Sequence, residues 1–104
     1  MSTDFASLAP AAAKQAADKL DPKLKQSAMA KGWHHEIDVV AKDGKVMISY
    51  QEEQEGDIFD VEYGNKDVSP NSVIRPFISG SQAALADSIA EAAINHLFDT
   101  GILP

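Results

Sequence analysis

The sequence predicts an α+β fold: an N-terminal helix or kinked helix pair, a small and mostly antiparallel sheet of three or four strands, and a C-terminal helix packed across the sheet. Alanine-rich sequence with helical spacing occupies both ends of the chain, and β-branched and aromatic residues are concentrated between them. An Asp-Gly pair separates two of the β-branched runs. The 104 residues are predicted to form a single domain, residues 1–104.

The first third of the chain is predicted to form a helical arm over residues 7–31. Residues 1–6 offer little to pack against a core, so we expect them to be flexible. Ser7 is suited to cap the helix, because its hydroxyl can accept a hydrogen bond from a free N–H in the first turn. Pro22 lacks an N–H, so the arm is either one kinked helix or two helices. Gly32 is expected to end it in a left-handed turn.

The β region is predicted to span residues 33–78, and its clearest feature is a hairpin. Two strand-forming runs, 37–41 and 46–50, flank the turn Lys42-Asp43-Gly44-Lys45. Asp-Gly tolerates the positive φ angles of a type I′ turn, which is the turn that joins paired antiparallel strands most readily. The sequence therefore predicts an antiparallel pair at this position.

Residues 58–63 fit either a third strand or a short helical turn. A two-residue period would place Phe59, Val61 and Tyr63 together on one apolar face, which favours the strand. Gly64 would then end the element.

The last element is predicted to be a helix over residues 81–100, with its cap supplied by Ser79-Gly80-Ser81 and its end at Gly101. Apolar residues recur at helical spacing along it. They are Leu85, Ile89, Ala93 and Leu97, with Ala86, Ala90, Ile94 and Phe98 beside them. We expect this stripe to cover the sheet.

Composition narrows the classes of function. The chain has no cysteine, which leaves no thiolate nucleophile, disulfide or cysteine zinc site. A formal net charge of −7 disfavours sequence-specific nucleic-acid binding, which needs clustered basic residues. We also expect no signal peptide and no membrane span.

Catalytic chemistry is not predicted either. His34 and Glu36 would share one face of a strand, but two ligands at that spacing need a distant third to hold a metal. The acidic run 52–60 is hydrophilic, so its carboxylates are expected to be solvated rather than paired as acid and base. We therefore predict no enzyme activity, no cofactor and no metal.

Charged residues divide into two regions. The helical arm carries Lys19, Lys23 and Lys25, whereas Glu52, Glu53 and Glu55 lie in the acidic run. These regions are either ordinary solvated faces or complementary patches where subunits meet.

Two short motifs lie between the hairpin and the last helix: Glu62-Tyr63-Gly64 and Arg75-Pro76-Phe77. Arginine can hold a carboxylate with two parallel hydrogen bonds, so Glu62 and Arg75 are predicted to pair, either within one subunit or between subunits. The other interpretation is two separately solvated charges. Gly64 is expected to supply a positive φ, and Pro76 to stiffen the approach to the last helix. Tyr63 and Phe77, together with Trp33, are expected in the core.

Taken with their neighbours, these motifs resemble a family signature. Val61-Glu62-Tyr63-Gly64, then Val73-Ile74-Arg75-Pro76, then a long helix is similar to the signature of the minor tail and neck proteins of long-tailed bacteriophages. Asn65, Ser72 and Phe77 depart from the family pattern. The resemblance covers roughly the C-terminal half of the chain.

The resemblance implies a structural virion protein, a subunit of the head-to-tail connector that acts as a neck or a tail-completion (terminator) component. Such a protein would form a cyclic ring, a hexamer or dodecamer, with DNA passing through its lumen. Its other partners would be a head-closure (stopper) protein and tail tube or terminator proteins. It would reside in the neck or tail of the virion, and in the host cytoplasm during assembly. The alternative is a small cytoplasmic binding or adaptor protein that acts as a homo-oligomer.

Overall fold

The computed structural model describes residues 2–99, and within them the chain forms an α+β fold, which confirms the predicted class. A three-stranded antiparallel sheet is covered by helices, with an N-terminal and a C-terminal helix as expected. In chain order the elements are β1 (Ser2–Ser7), α1 (Pro10–Ala30), β2 (Ile37–Lys42), β3 (Lys45–Tyr50), a 3-10 turn (Glu52–Gln54), α2 (Glu55–Tyr63), α3 (Ile74–Gly80) and α4 (Gln82–Asp99).

The predicted hairpin is present, and its register follows directly from its turn. Strands β2 and β3 pair antiparallel from Ile37 opposite Tyr50 to Lys42 opposite Lys45. Asp43 has a φ of 54° and Gly44 a φ of 78°, the two positive values that a type I′ turn requires.

The first residues, expected to be flexible, instead form the third strand. Residues 2–7 pair antiparallel with β3, with an irregularity in register between Asp4 and Ala6, so the strand order is β1-β3-β2. Without them, one edge of β3 would leave its N–H and C=O groups unpaired. The prediction was wrong for residues 2–6 because their pairing partner is β3, a distant segment of the chain that local sequence does not reveal.

Helix α1 runs without a break from Pro10 to Ala30, through Pro22. The interpretation as a single helix is therefore right, and the alternative of two helices is wrong. Ser7 does not cap it: Ser7 is the last residue of β1, and α1 begins three residues later. At the other end, Gly32 has the predicted left-handed φ of 76°.

The C-terminal turn of α1 is closed by two backbone hydrogen bonds. The Trp33 N–H donates to the Ala28 carbonyl at 2.9 Å, and the Gly32 N–H donates to the Met29 carbonyl at 3.1 Å. This is the Schellman arrangement, which satisfies carbonyls that the end of a helix leaves free. It also fixes the direction in which Trp33 leaves the helix.

The core lies between α1 and one face of the sheet. Alanines on the inner face of α1 allow the helix to approach the strands closely, and Leu20 and Leu24 then fill the space against Val46 and Ile48. All four of these large side chains are at most 1% exposed. Ile58 closes the core from α2 with no exposed surface.

The second half of the predicted β region is helical. Residues 58–63 belong to α2, so the helical alternative is right and the favoured strand is wrong. Helical spacing buries Ile58 and Glu62 on one face, whereas Phe59 and Tyr63 are 38% and 56% exposed. The two-residue pattern in the sequence was coincidental, because packing of Ile58 and Glu62 decides the element.

Helix α4 completes the helical layer over the sheet, and its most extensive contacts are with α1. Leu85 and Ser88 are buried, but Ile89 and Ile94 are each 49% exposed, so the predicted apolar stripe is only partly covered. The side chains of Leu97 and Phe98, and the predicted helix end at Gly101, lie outside the described residues. The radius of gyration is 15.9 Å, compared with about 13 Å for a compact domain of this length.

Candidate functional site

The carboxylate of Glu62 is the centre of the most tightly connected polar site. Its side chain is 1% exposed. One carboxylate oxygen, Oε1, accepts hydrogen bonds from the N–H groups of Val73 at 2.8 Å and Ile74 at 2.7 Å, and Oε2 accepts one from the N–H of Arg75 at 3.0 Å. These N–H groups open α3 and have no acceptor within the helix. Glu62, contributed by α2, therefore caps the N-terminus of α3.

The side chain of Arg75 closes the same site from outside. Its Nε donates to Glu62 Oε2 at 2.9 Å, and its Nη2 donates to the Glu62 backbone carbonyl at 2.7 Å and to Ser72 Oγ at 2.8 Å. The predicted pairing is confirmed, within one chain. The arginine makes one hydrogen bond to the carboxylate rather than the two expected, because its second nitrogen is engaged by a carbonyl and a hydroxyl.

Hydrogen bonding decides the charge state of this buried acid. Burial raises the pKa of Glu62, but the hydrogen bonds from the backbone and side chain of Arg75, and from the N–H groups of Val73 and Ile74, lower it by more. The net effect is a pKa below the ordinary value. Glu62 is therefore ionised at neutral pH despite its burial.

Gly64 is required by the loop that separates α2 from α3. Its φ is 77°, as predicted, and a Cβ built there would stand 2.7 Å from Cδ of Pro70. Beyond that proline, the Asn71 N–H donates to the Val61 carbonyl at 2.8 Å. Positive φ and close approach both exclude a larger residue, so the loop folds back tightly on α2.

Asn71 ties this loop to the end of α1. Its side-chain Nδ2 donates to the Lys31 carbonyl at 2.7 Å, and its own carbonyl accepts a hydrogen bond from Trp33 Nε1 at 2.9 Å. No specific pattern in the sequence indicates this role, since Ser-Pro-Asn-Ser is ordinary turn chemistry. The loop, α3 and the end of α1 thus form one connected unit.

Three predictions about core residues have different outcomes. Trp33 and Phe77 are buried, at 7% and 9% exposure, which confirms the expectation for them. Tyr63 was predicted wrongly: it is exposed, and its ring lies 4.2 Å from the guanidinium carbon of Arg75. Pro76 lies in the first turn of the separate helix α3, not directly before the last helix.

Two of the three predicted lysines form ion pairs within the chain. Lys19 contacts Glu91 at 2.8 Å, and Lys25 contacts Asp21 at 2.6 Å and Asp38 at 2.9 Å. The hydrogen bonds from Lys25 to these two carboxylates raise its pKa. These contacts join α1 to α4 and to β2.

The remaining members of the predicted charge patches form no ion pair with the described residues. Lys23 is exposed on α1. In the predicted acidic patch, Glu52 and Glu53 lie exposed on the 3-10 turn, and Glu55 begins α2.

A groove of about 470 Å³ lies beside the Glu62 site, between the C-terminal half of α1 and the helices α3 and α4. Its floor and walls are mainly apolar, and the charged residues that line it are both lysines. The residues that line it include Leu20, Lys23, Ala30, Lys31, Val73, Phe77, Gly80, Ser81 and Ala84. Sequence reasoning missed the groove because three separate segments build it.

No group of three histidine, aspartate or glutamate side chains suited to hold a metal is found among the described residues. His35, rather than joining His34, contacts Asp57 through Nε2 at 2.5 Å and stacks edge-on against Trp33. Over the same range, no helix has the length and apolar character needed to cross a bilayer.

The residues that carry the resemblance to phage neck and minor tail proteins thus lie together in one unit, built on Glu62, Gly64 and Arg75. Comparison with protein-family models, with curated proteins and with solved structures finds no match to this chain.

Proposed function

We propose that the chain is a ring-forming structural subunit of the head-to-tail connector of a long-tailed bacteriophage, acting as a neck or tail-completion (terminator) component. The observation that carries the homo-oligomeric part is the character of α4. It carries apolar residues on two faces, yet the described residues bury only one of them, and Ile94 on the other face is 49% exposed. An apolar face left exposed on a helix is typical of a surface that another protein covers.

The virion part of the proposal is supported by the resemblance and by what its residues do. Glu62, Gly64 and Arg75 set the angle between α2 and α3, and through Asn71 they fix both to the end of α1. Fixed angles between surface helices suit a protein whose task is to present the same two surfaces to identical neighbours.

The charge of the chain suits a position beside DNA that moves. A net charge of −7 repels the phosphate backbone. A lumen lined by such subunits would let DNA pass without retaining it. The partners in this proposal are copies of the chain, a head-closure protein on one side, and tail tube or terminator proteins on the other.

A second candidate function is a homo-oligomeric binding or adaptor protein of the cytoplasm. The groove favours it, since about 470 Å³ with apolar walls and two lysines is in the size range of small-ligand sites. Thermal-shift screening of the purified protein against anionic apolar ligands would support this candidate if a ligand raised the melting temperature.

Electron microscopy of lysates tests the connector proposal. The gene is deleted from its phage or prophage, and the control is the same deletion complemented by the wild-type gene. Filled heads beside loose tails of normal length would support a neck role, and overlong tail tubes would support a terminator role. Normal infectious particles from the deletion would refute the proposal and favour the adaptor.

A further inference from the structure

Helix α4 has two apolar faces, and the described residues cover only one of them. Ser81, Leu85 and Ser88 are at most 6% exposed and face the core. At 100° per residue the opposite side carries Ala86, Ala90, Ala93 and Ile94, all of which are exposed. We call these four residues the outer face of α4. Small residues with one larger aliphatic side chain allow another helix to approach closely.

The groove between α1 and α3 is the second uncovered apolar feature. Val73 and Phe77 are largely buried in its wall, and the exposed Lys23 and Lys31 line it from α1. Neither lysine takes part in an ion pair with the described residues, whereas Lys19 and Lys25 on the same helix do. The groove therefore combines an apolar wall with two uncompensated positive charges.

A chain cannot fill its own groove with its own outer face. Gly80, Ser81 and Ala84, at the start of α4, are part of the groove wall. Ile94 is ten residues beyond Ala84 on the same helix, which places it about 15 Å further along the axis. Since Glu91 contacts Lys19 while Ala84 lines the groove together with the C-terminal half of α1, α4 runs antiparallel to α1 and away from the groove. An outer face of α4 that fills the groove therefore belongs to another molecule.

We propose that the outer face of α4 in one copy docks in the groove between α1 and α3 of the next copy. A single contact then covers both apolar features, and helix-in-groove docking is a recurrent mode of recognition. Charge also matches: Asp87 lies beside the outer face, within one turn of Ala90, and would approach Lys23 and Lys31.

The contact joins two different surfaces, so it repeats from copy to copy and generates a ring where the rotation closes. This inference rests on the homo-oligomeric part of the proposed function. It does not depend on the virion assignment.

Cysteine cross-linking tests the contact directly, because the natural chain has no cysteine. Two single variants are made, Ala30→Cys in the groove and Ile94→Cys on the outer face. They are mixed and oxidised under mild conditions. The matched control is Ala11→Cys, an exposed alanine at the opposite end of α1. Circular dichroism of each variant verifies that it is folded.

The expected result is a disulfide-linked dimer between Ala30→Cys and Ile94→Cys, formed at least about tenfold faster than between Ala11→Cys and Ile94→Cys, because docking raises the local thiol concentration. Ile94→Cys alone should give little dimer. A doubly substituted chain carrying both cysteines should give a ladder of cross-linked multimers.

Three results would overturn the proposal. Efficient dimerisation of Ile94→Cys with itself would mean that two α4 helices pair symmetrically. An oligomer in native mass spectrometry without the mixed cross-link would assign the groove to another partner and leave the homo-oligomer intact. A monomer would remove the homo-oligomer as well. A mixed cross-link in a protein whose deletion leaves phage particles normal would support this contact while refuting the virion function.

Discussion

Replacing Glu62 by glutamine is the most direct test of how the helices are held together. The substitution keeps the size of the side chain but removes its charge, and it exchanges one acceptor oxygen for an NH2 donor. Four donors now converge on the carboxylate: the N–H groups of Val73, Ile74 and Arg75, and the Arg75 Nε. In the variant, at least one of these four N–H groups faces the NH2 group of the glutamine, which is itself a donor.

The free energy of unfolding that Glu62→Gln loses can be judged from three contributions, which overlap and are not additive. Loss of a helix N-cap costs about 1 kcal/mol, and a hydrogen bond to a charged group contributes about 1.5–3 kcal/mol. Breaking a fully buried ion pair costs about 3–5 kcal/mol. Because the side chain of Arg75 is 51% exposed, water can solvate it in the variant, and we expect about 3 kcal/mol at neutral pH, at the lower end of that range.

Urea unfolding measures this loss, followed by circular dichroism and by the fluorescence of the single tryptophan, Trp33. A loss of about 3 kcal/mol should lower the melting temperature by about 12–24 °C in a domain of this size. Protein concentration is held constant, because assembly contributes to apparent stability.

Glu53→Gln is the matched control, since it makes the same chemical change at an exposed position on the 3-10 turn. It should alter the free energy of unfolding by no more than about 0.5 kcal/mol. A loss below about 1 kcal/mol for Glu62→Gln would refute the view that this carboxylate holds α3 in place. In a double-mutant cycle, Arg75→Met should show coupling of about 0.5–3 kcal/mol with Glu62→Gln, and additivity would show that the two side chains act independently.

Three further predictions concern pH, the loop and the core. Because folding lowers the pKa of Glu62, its contribution to the free energy of unfolding is fully present above the unfolded pKa of about 4.3 and is lost as pH falls through the folded pKa. The difference in stability between the wild-type protein and Glu62→Gln should therefore shrink in acid, and a difference that stays constant with pH would contradict this. Gly64→Ala should destabilise the protein more than Gly32→Ala. Both glycines have positive φ, but only at position 64 would the added Cβ stand 2.7 Å from Pro70. Equal urea midpoints for the two variants would contradict the clash. Ile58→Ala should cost about 2–5 kcal/mol in urea unfolding, as Ile58 is fully buried, and a loss under about 1 kcal/mol would place it outside the core.

Local chemistry made some elements predictable. Asp43-Gly44 supports a type I′ turn whatever surrounds it, and the strands on either side are held in register by that turn. Gly32 likewise ends α1 through hydrogen bonds to residues within five positions. The pairing of Glu62 with Arg75 was one of two interpretations that their charges allowed, and the structure decided between them.

Residues 58–63 are a segment whose secondary structure local sequence does not decide. Their sequence favours a strand and also allows a short helical turn, and the choice is made by Ile58 in the core and by Glu62 beneath α3. A glutamate is also the residue type that a hydrophobic pattern assigns to solvent. Only the N–H groups of α3, contributed by residues 73–75, make its burial favourable.

The sequence by itself determined the α+β class, the hairpin, the helical character of the segment that forms α1 and the positive φ at Gly64, because each depends on residues close together in the chain. Only the tertiary structure decided that α1 continues through Pro22, that residues 2–7 form a strand, that Glu62 caps α3, and that the described residues leave one face of α4 uncovered. Each of these depends on a partner surface supplied by a distant segment. The free energy of burial or of strand pairing exists only once that segment is in place.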